Sequence, residues 1–140
     1  MNQDIKAIIH RVANAFLPGD AEFEKILNAI ALTESGGRPD AVGDGGWSIG
    51  LFQNHMRDGR GKGHTKEQLF DPLYNTALAA KELVKYYNQG KQKGLTGANL
   101  AVYVSKYGQR PKPGNELKVA PNYGKFVGQA PVITNEPQMM

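Results

Sequence analysis

Apolar residues recur along much of the chain at the three- and four-residue spacing of a helix face, and the pattern breaks where glycine becomes dense. Residues 3 to 16 predict an amphipathic helix with Ile5, Ile8, Ile9, Val12 and Phe16 on one face, closed by Leu17-Pro18-Gly19. Asp20 reads as the N-cap of a second helix, which carries Glu22 and Glu24 in its first turn and ends around Glu34. From Gly36 to Gly63 glycine is too frequent for a regular helix, yet Trp47, Ile49, Leu51 and Phe52 are apolar enough to pin the segment to a core. This predicts a long ordered loop with room for a short hairpin. Thr65 caps a short turn through Phe70, and Asp71-Pro72 puts cap and first-turn proline in the preferred order for a helix start. That helix is expected to reach about Asn88 and to bury Leu73, Ala77, Ala80, Leu83, Val84 and Tyr87. Gly90 and Gly94 separate it from a further helix over residues 98 to 106. Beyond it, Pro111, Pro113, Pro121, Pro131 and Pro137 leave little periodicity, so a surface-wrapping segment is expected.

The pattern therefore predicts a mainly α fold with a glycine-rich active loop, or short β-hairpin, inserted after the second helix, and no larger sheet. With 140 residues, 40% of them hydrophobic, the chain suits one compact domain, assigned to residues 1 to 128, with a flexible tail over 129 to 140. A monomer is expected. The chain has no cysteine, which excludes a disulfide framework and a Cys-based zinc site. His10, His55 and His64 lack paired metal-ligand spacing, and no glycine motif is suited to cradling phosphate, so neither a metal nor a cofactor is expected. A net charge of +4 favours an acidic partner. The cations are scattered, however, with modest groups at Arg57, Arg60 and Lys62 and at Lys106, Arg110 and Lys112, and no recognition-helix motif accompanies them. They read as solvated surface, not as a nucleic-acid site. The first sixteen residues are interrupted by Asp4, Lys6, His10 and Arg11 and do not form a signal-peptide core, and no apolar run is long enough to span a membrane.

Candidate chemistry centres on Glu34. It falls on the same helical stripe as Leu27, Ile30 and Ala31, which aims a carboxylate toward the core at the negative end of a helix dipole. Such an acid holds its proton more tightly and suits general acid catalysis near neutral pH. The plainer alternative is a frayed last turn whose charge reaches solvent past Gly36 and Gly37. Asp40, Asp44 and Asp58 are candidate second carboxylates, and each also fits an ordinary turn; Asp44 is favoured. Gly46-Trp47-Ser48-Ile49-Gly50 matches the G-x-S-x-G pattern of a serine nucleophile elbow. That motif needs a parallel sheet, which this chain does not offer, so an esterase is disfavoured and the glycines read as positions of close backbone approach. His55 and His64 flank the loop and suit either substrate contact or turn capping.

Ala31-Leu32-Thr33-Glu34-Ser35-Gly36-Gly37, then Pro39 and Ala41-Val42, then Gly50-Leu51-Phe52-Gln53 resemble the signature of soluble lytic transglycosylases and goose-type lysozymes. The resemblance continues through His64-Thr65 and Asp71-Pro72-Leu73-Tyr74-Asn75, which is similar to the family's D-P-x-x-N helix start, and covers residues 25 to 107. It implies a lysozyme-like helical domain that cleaves the β-1,4 bond between N-acetylmuramic acid and N-acetylglucosamine in the glycan strands of peptidoglycan. Glu34 then matches the catalytic glutamate, and Ser48, Gly50 and Gln53 match residues lining the saccharide groove. Tyr103 or Tyr107 resembles a late-helix tyrosine that approaches the acid, although the family's Tyr-Asn-Ala-Gly is Tyr103-Val104-Ser105-Lys106 here. Asp44 stands where goose-type lysozymes carry a carboxylate, while His55 replaces a frequent aspartate in the groove. That departure leaves open whether water or the sugar's own 6-hydroxyl completes the reaction, and whether the domain binds the wall without cutting it. The wording Gly43-Asp44-Gly45-Gly46 and Gly108-Gln109-Arg110-Pro111 resembles bacteriophage and prophage versions. This implies action on the bacterial cell wall after virion or holin-dependent delivery.

Overall fold

The computed structural model describes residues 1–128, so the tail expected over 129 to 140 lies outside the described residues. Its helices are α1 (Gln3–Phe16), α2 (Ala21–Ser35), α3 (Lys66–Phe70), α4 (Pro72–Gln92), α5 (Gly97–Val104) and α6 (Val119–Gly124). Between α2 and α3 lie three two-residue strands, β1 (Val42–Gly43), β2 (Ser48–Ile49) and β3 (Asn54–His55), in a small antiparallel sheet of order β1-β2-β3. The register sets Val42 against Ile49 and Ile49 against Asn54. The glycine-rich segment is thus one strand richer than a hairpin. The fold is mainly α, as the hydrophobic pattern predicts.

Local chemistry starts each helix where the sequence indicates. Asn2 accepts from the amides of Asp4 and Ile5, Asp20 from Phe23, and Asp71 from Leu73 and Tyr74. Thr65 and Gln68 form a reciprocal capping box at α3. These bonds satisfy amides that lack an intrahelical partner. The core lies among α1, α2, α4, α5 and α6, with Ile9, Phe23, Ile26, Leu27, Ile30, Leu83 and Leu100 fully enclosed and Leu51 and Phe52 inserted from the loop. Tyr87 is buried against Phe23, and its hydroxyl donates to Asp20 at 2.7 Å. Glu22, beyond favouring its own helix start, accepts from the Gly97 amide at 2.8 Å and so ties the start of α2 to that of α5.

Three expectations need correction. α4 does not stop near Asn88 but runs through Gly90 to Gln92, because Gly90 is a contact point with α5. A β-carbon there would lie 2.4 Å from Leu100 Cδ1 and 3.1 Å from Tyr103 Cδ1. The helix over residues 98 to 106 ends earlier as an α-helix and continues as one wider π-helical turn, Ser105–Gln109. The proline-bearing stretch beyond is not all surface wrapping: α6 packs on α2 and α5 and buries Val119 and Tyr123. Pro121 is compatible with α6 because it falls in the first turn, where a missing N–H breaks no helical bond.

Candidate active site

Glu34 is the penultimate residue of α2, and the turn after it leads straight into the glycine-rich loop. The loop folds back and is held by Asn75, which is fully buried in the first turns of α4. Its Oδ1 accepts from the Phe52 amide at 2.8 Å, and its Nδ2 donates to the carbonyls of Ile49 at 2.9 Å and Leu69 at 2.8 Å. Gly50 makes this closure possible: a β-carbon would lie 2.3 Å from the Leu69 carbonyl oxygen and 2.4 Å from Asn75 Nδ2, and its φ of +80° is unfavourable for other residues. Gln53 Nε2 donates to the carbonyls of Ala41 at 3.2 Å and Gly50 at 3.0 Å, cinching the same turn.

The folded loop forms one wall of a cleft of about 680 Å³. Asp44, Ser48, Gln53, Asn54, His55 and Asp58 line that wall, Thr33 and Glu34 lie at the end of α2, and Glu82 projects from α4. Gly108 to Lys112, Asn115 and Lys118 form the opposite wall. Burial pushes the Glu34 carboxyl above the ordinary carboxylate range, and the Asp44 charge acts in the same direction. Hydrogen bonding with Gln109 and the charge of Arg60 pull the other way without cancelling the shift.

Arg60 joins the two walls. Its side chain is only 9% exposed and faces Glu82 at 3.8 Å. It donates to Asn54 Oδ1 at 2.7 Å, to the Gly108 carbonyl at 3.1 Å and to Gln109 Oε1. Gln109 in turn donates to the Phe52 carbonyl at 3.0 Å. Burial lowers the guanidinium to about 10, with Glu82 and Glu34 opposing the drop, so it stays charged at neutral pH. The reading of Arg60 as solvated surface is therefore overturned: it lies between two glycines, where side-chain periodicity carries no information about facing.

The other predicted residues divide. Ser48 reaches the cleft wall but is buried, and its hydroxyl donates to Asp44 Oδ2 at 2.5 Å. His55 both lines the cleft and caps a turn. Its Nδ1 accepts from the amides of Arg57 at 3.2 Å and Asp58 at 3.0 Å, which places a neutral ring's proton on Nε2. Gly50 lies behind the wall instead of lining it. His64 bonds the Tyr74 hydroxyl at 2.5 Å, and His10 joins Glu24 at 2.6 Å between α1 and α2; neither lines the cleft. Asp40 is also outside it. Tyr103 and Tyr107 are not among the cleft-lining residues: Tyr103 sits against Gly90 and Tyr107 stacks on Tyr86 at 6.4 Å, both contacts with α4.

Arg60, Glu82 and Gln109 are among the cleft residues that sequence reasoning missed. One signal was present: Glu82 follows Asn75 by seven residues and so shares its helix face. Among the described residues no helix is long and apolar enough to cross a membrane. No curated protein and no solved structure matches the chain. A family model described as "Lysozyme like domain" matches residues 19–92, more than half of the chain, from the N-cap region of α2 through the loop to the end of α4. With that match spanning Glu34, the pinned loop and Glu82, the chain belongs to the lysozyme-like domain family.

Proposed function

We propose that the protein is a muramidase that cleaves the β-1,4 bond between N-acetylmuramic acid and N-acetylglucosamine in peptidoglycan, with Glu34 as general acid and then base. The observation that carries this reading is a carboxyl raised by burial, in the cleft of a lysozyme-like domain. Glu34 donates its proton to the glycosidic oxygen as the bond to C1 breaks. The 6-hydroxyl of the muramyl residue then closes on C1, and its proton passes to the Glu34 carboxylate, restoring the acid and leaving a 1,6-anhydro end. Arg60 stabilises the carboxylate between these steps through its charge. The His55 ring has Nε2–H free of its turn-capping bonds and suits donation to an acetamido or hydroxyl oxygen of the strand.

A second reading, hydrolysis in the manner of goose-type lysozymes, is favoured by Asp44, which shares the cleft and acts electrostatically on Glu34. In that case Asp44 orients a water that replaces the sugar hydroxyl. The phage or prophage affiliation, and the virion or holin-dependent delivery that goes with it, are part of the proposal and rest on the loop wording alone.

Mass spectrometry of purified walls digested by the protein separates the readings. Anhydro ends, lighter by one water, are expected; reducing ends would assign hydrolysis, and D44N should then abolish release. E34Q should remain folded and release no fragments. If E34Q clears walls at the parental rate, the acid is misassigned. If the wild type is retained on walls and releases nothing, the domain is a binding module.

A further inference from the structure

The walls of the cleft carry charge of opposite sign. Asp44, Asp58 and Glu82 stand on the loop and α4 side, whereas Arg110, Lys112 and Lys118 line the facing side and are exposed. None of these three cations is ion-paired among the described residues, in contrast to Arg60, which faces Glu82. The proposed bond cleavage uses none of them. Their placement follows from the backbone: the π turn ends at Arg110 with φ of 50°, the left-handed conformation reverses the chain, and Pro111 to Lys118 return along the cleft. Arg110 lies close enough to Arg60 for their charges to oppose each other. A neutral glycan would offer these three solvent-facing cations no counter-charge along the strand.

We propose that Arg110, Lys112 and Lys118 form a subsite that reads carboxylates carried by the glycan strand held in the cleft. This rests on the muramidase reading for the strand and extends it to substrate preference: the enzyme selects strands bearing an anionic substituent over neutral N-acetylglucosamine polymers. Two of the three cations are lysines, which act as mobile point charges and suit carboxylates on flexible arms better than one fixed bidentate pair. Carboxylates occur on the lactyl ether of the muramyl residue and on its stem peptide, and the same chemistry would recognise either.

The test uses E34Q, which separates binding from cutting, on sacculi freed of phosphate-bearing polymers. Three forms are compared: native sacculi, sacculi stripped of stem peptides, and sacculi whose carboxylates have been converted to amides. E34Q should be retained on native sacculi in a salt-sensitive manner and about tenfold less on the amidated form. Adding K112E/K118E should weaken retention on native sacculi by about tenfold and cause no further loss on amidated ones. K112Q/K118Q should show the same pattern with a smaller loss, and thermal melting should confirm that both variants fold. Retention that falls on stripping assigns the peptide carboxylates, and retention that persists assigns the lactyl group; each supports the subsite. Equal retention on native and amidated sacculi, or equal losses for the variants on both, overturns it. If the wild type releases no fragments while these binding differences hold, the muramidase reading fails and the subsite stands. If fragments are released and charge reversal changes nothing, the converse applies.

Discussion

The loop wall, residues 36 to 63, is held by the buried Asn75 behind it and by its own Gln53, which together bond to its backbone at four points. The facing wall, Gly108 to Lys118, is anchored at its base, where Arg60 reaches Gly108 and Gln109, and its outer residues stand in solvent. One wall is fixed by backbone recognition along its length, the other at its base by the Arg60 guanidinium and the Gln109 amide. The difference teaches where rigidity is needed: beside the acid, whose burial depends on the loop, and not along the rim that meets a variable polymer.

Breaking the rigid wall should have the largest effect. N75A leaves the Phe52 amide and the carbonyls of Ile49 and Leu69 without partners in the interior, and should cost about 3–5 kcal/mol in denaturant unfolding. N75D should rescue little, since a carboxylate cannot donate to the two carbonyls. R60A comes next, at about 3 kcal/mol, because it strands Glu82 and the Gly108 carbonyl. It also removes the positive charge that favours ionised Glu34, so the alkaline limb of the pH–rate profile should move to higher pH. R60K should restore that limb in part. A profile unmoved by R60A would show that the two walls do not communicate through this residue.

E34Q sharpens the comparison through stability. The folded carboxyl binds its proton more tightly than the unfolded one, so the linked stabilisation is full in acid and is lost as pH rises through the folded value. E34Q should therefore melt at a higher temperature than the parent at neutral pH, with the gain disappearing in acid. An unchanged melting temperature at both pH values would mean that the cleft does not desolvate Glu34. The smallest effect is expected at Arg57–Asp58, a pair at 3.0 Å with side chains 59% and 67% exposed. R57A should change stability by under about 0.5 kcal/mol, the value for a solvated ion pair.

Much of this arrangement was legible in the chain. Helix starts at Asp20, Thr65 and Asp71 follow from capping chemistry within four residues, and the inward stripe ending at Glu34 follows from spacing. The facing wall was not legible, because its geometry comes from one wider turn at Ser105–Gln109 that no local preference in Ser-Lys-Tyr-Gly-Gln announces. That same turn carries Tyr107 toward Tyr86, and only the packing of α5 on Gly90 decides where Tyr103 points. Arg60 was misread for a related reason: its partners at Gly108 and Gln109 lie 48 and 49 residues away, beyond any local pattern. α6 was missed because six residues containing a proline give periodicity too little to work with.

The left-handed bend at Arg110 has an engineering consequence. Downstream of it, the rim residues at 112, 113, 117 and 118 are solvent-facing and can be randomised without touching the seat of the acid, while Gly114, at φ of +90°, and positions 50 and 75 admit almost no variation. A library confined to that rim should yield altered wall preference at nearly constant melting temperature, making the domain a chassis whose taste can be retuned while its cutting edge is inherited.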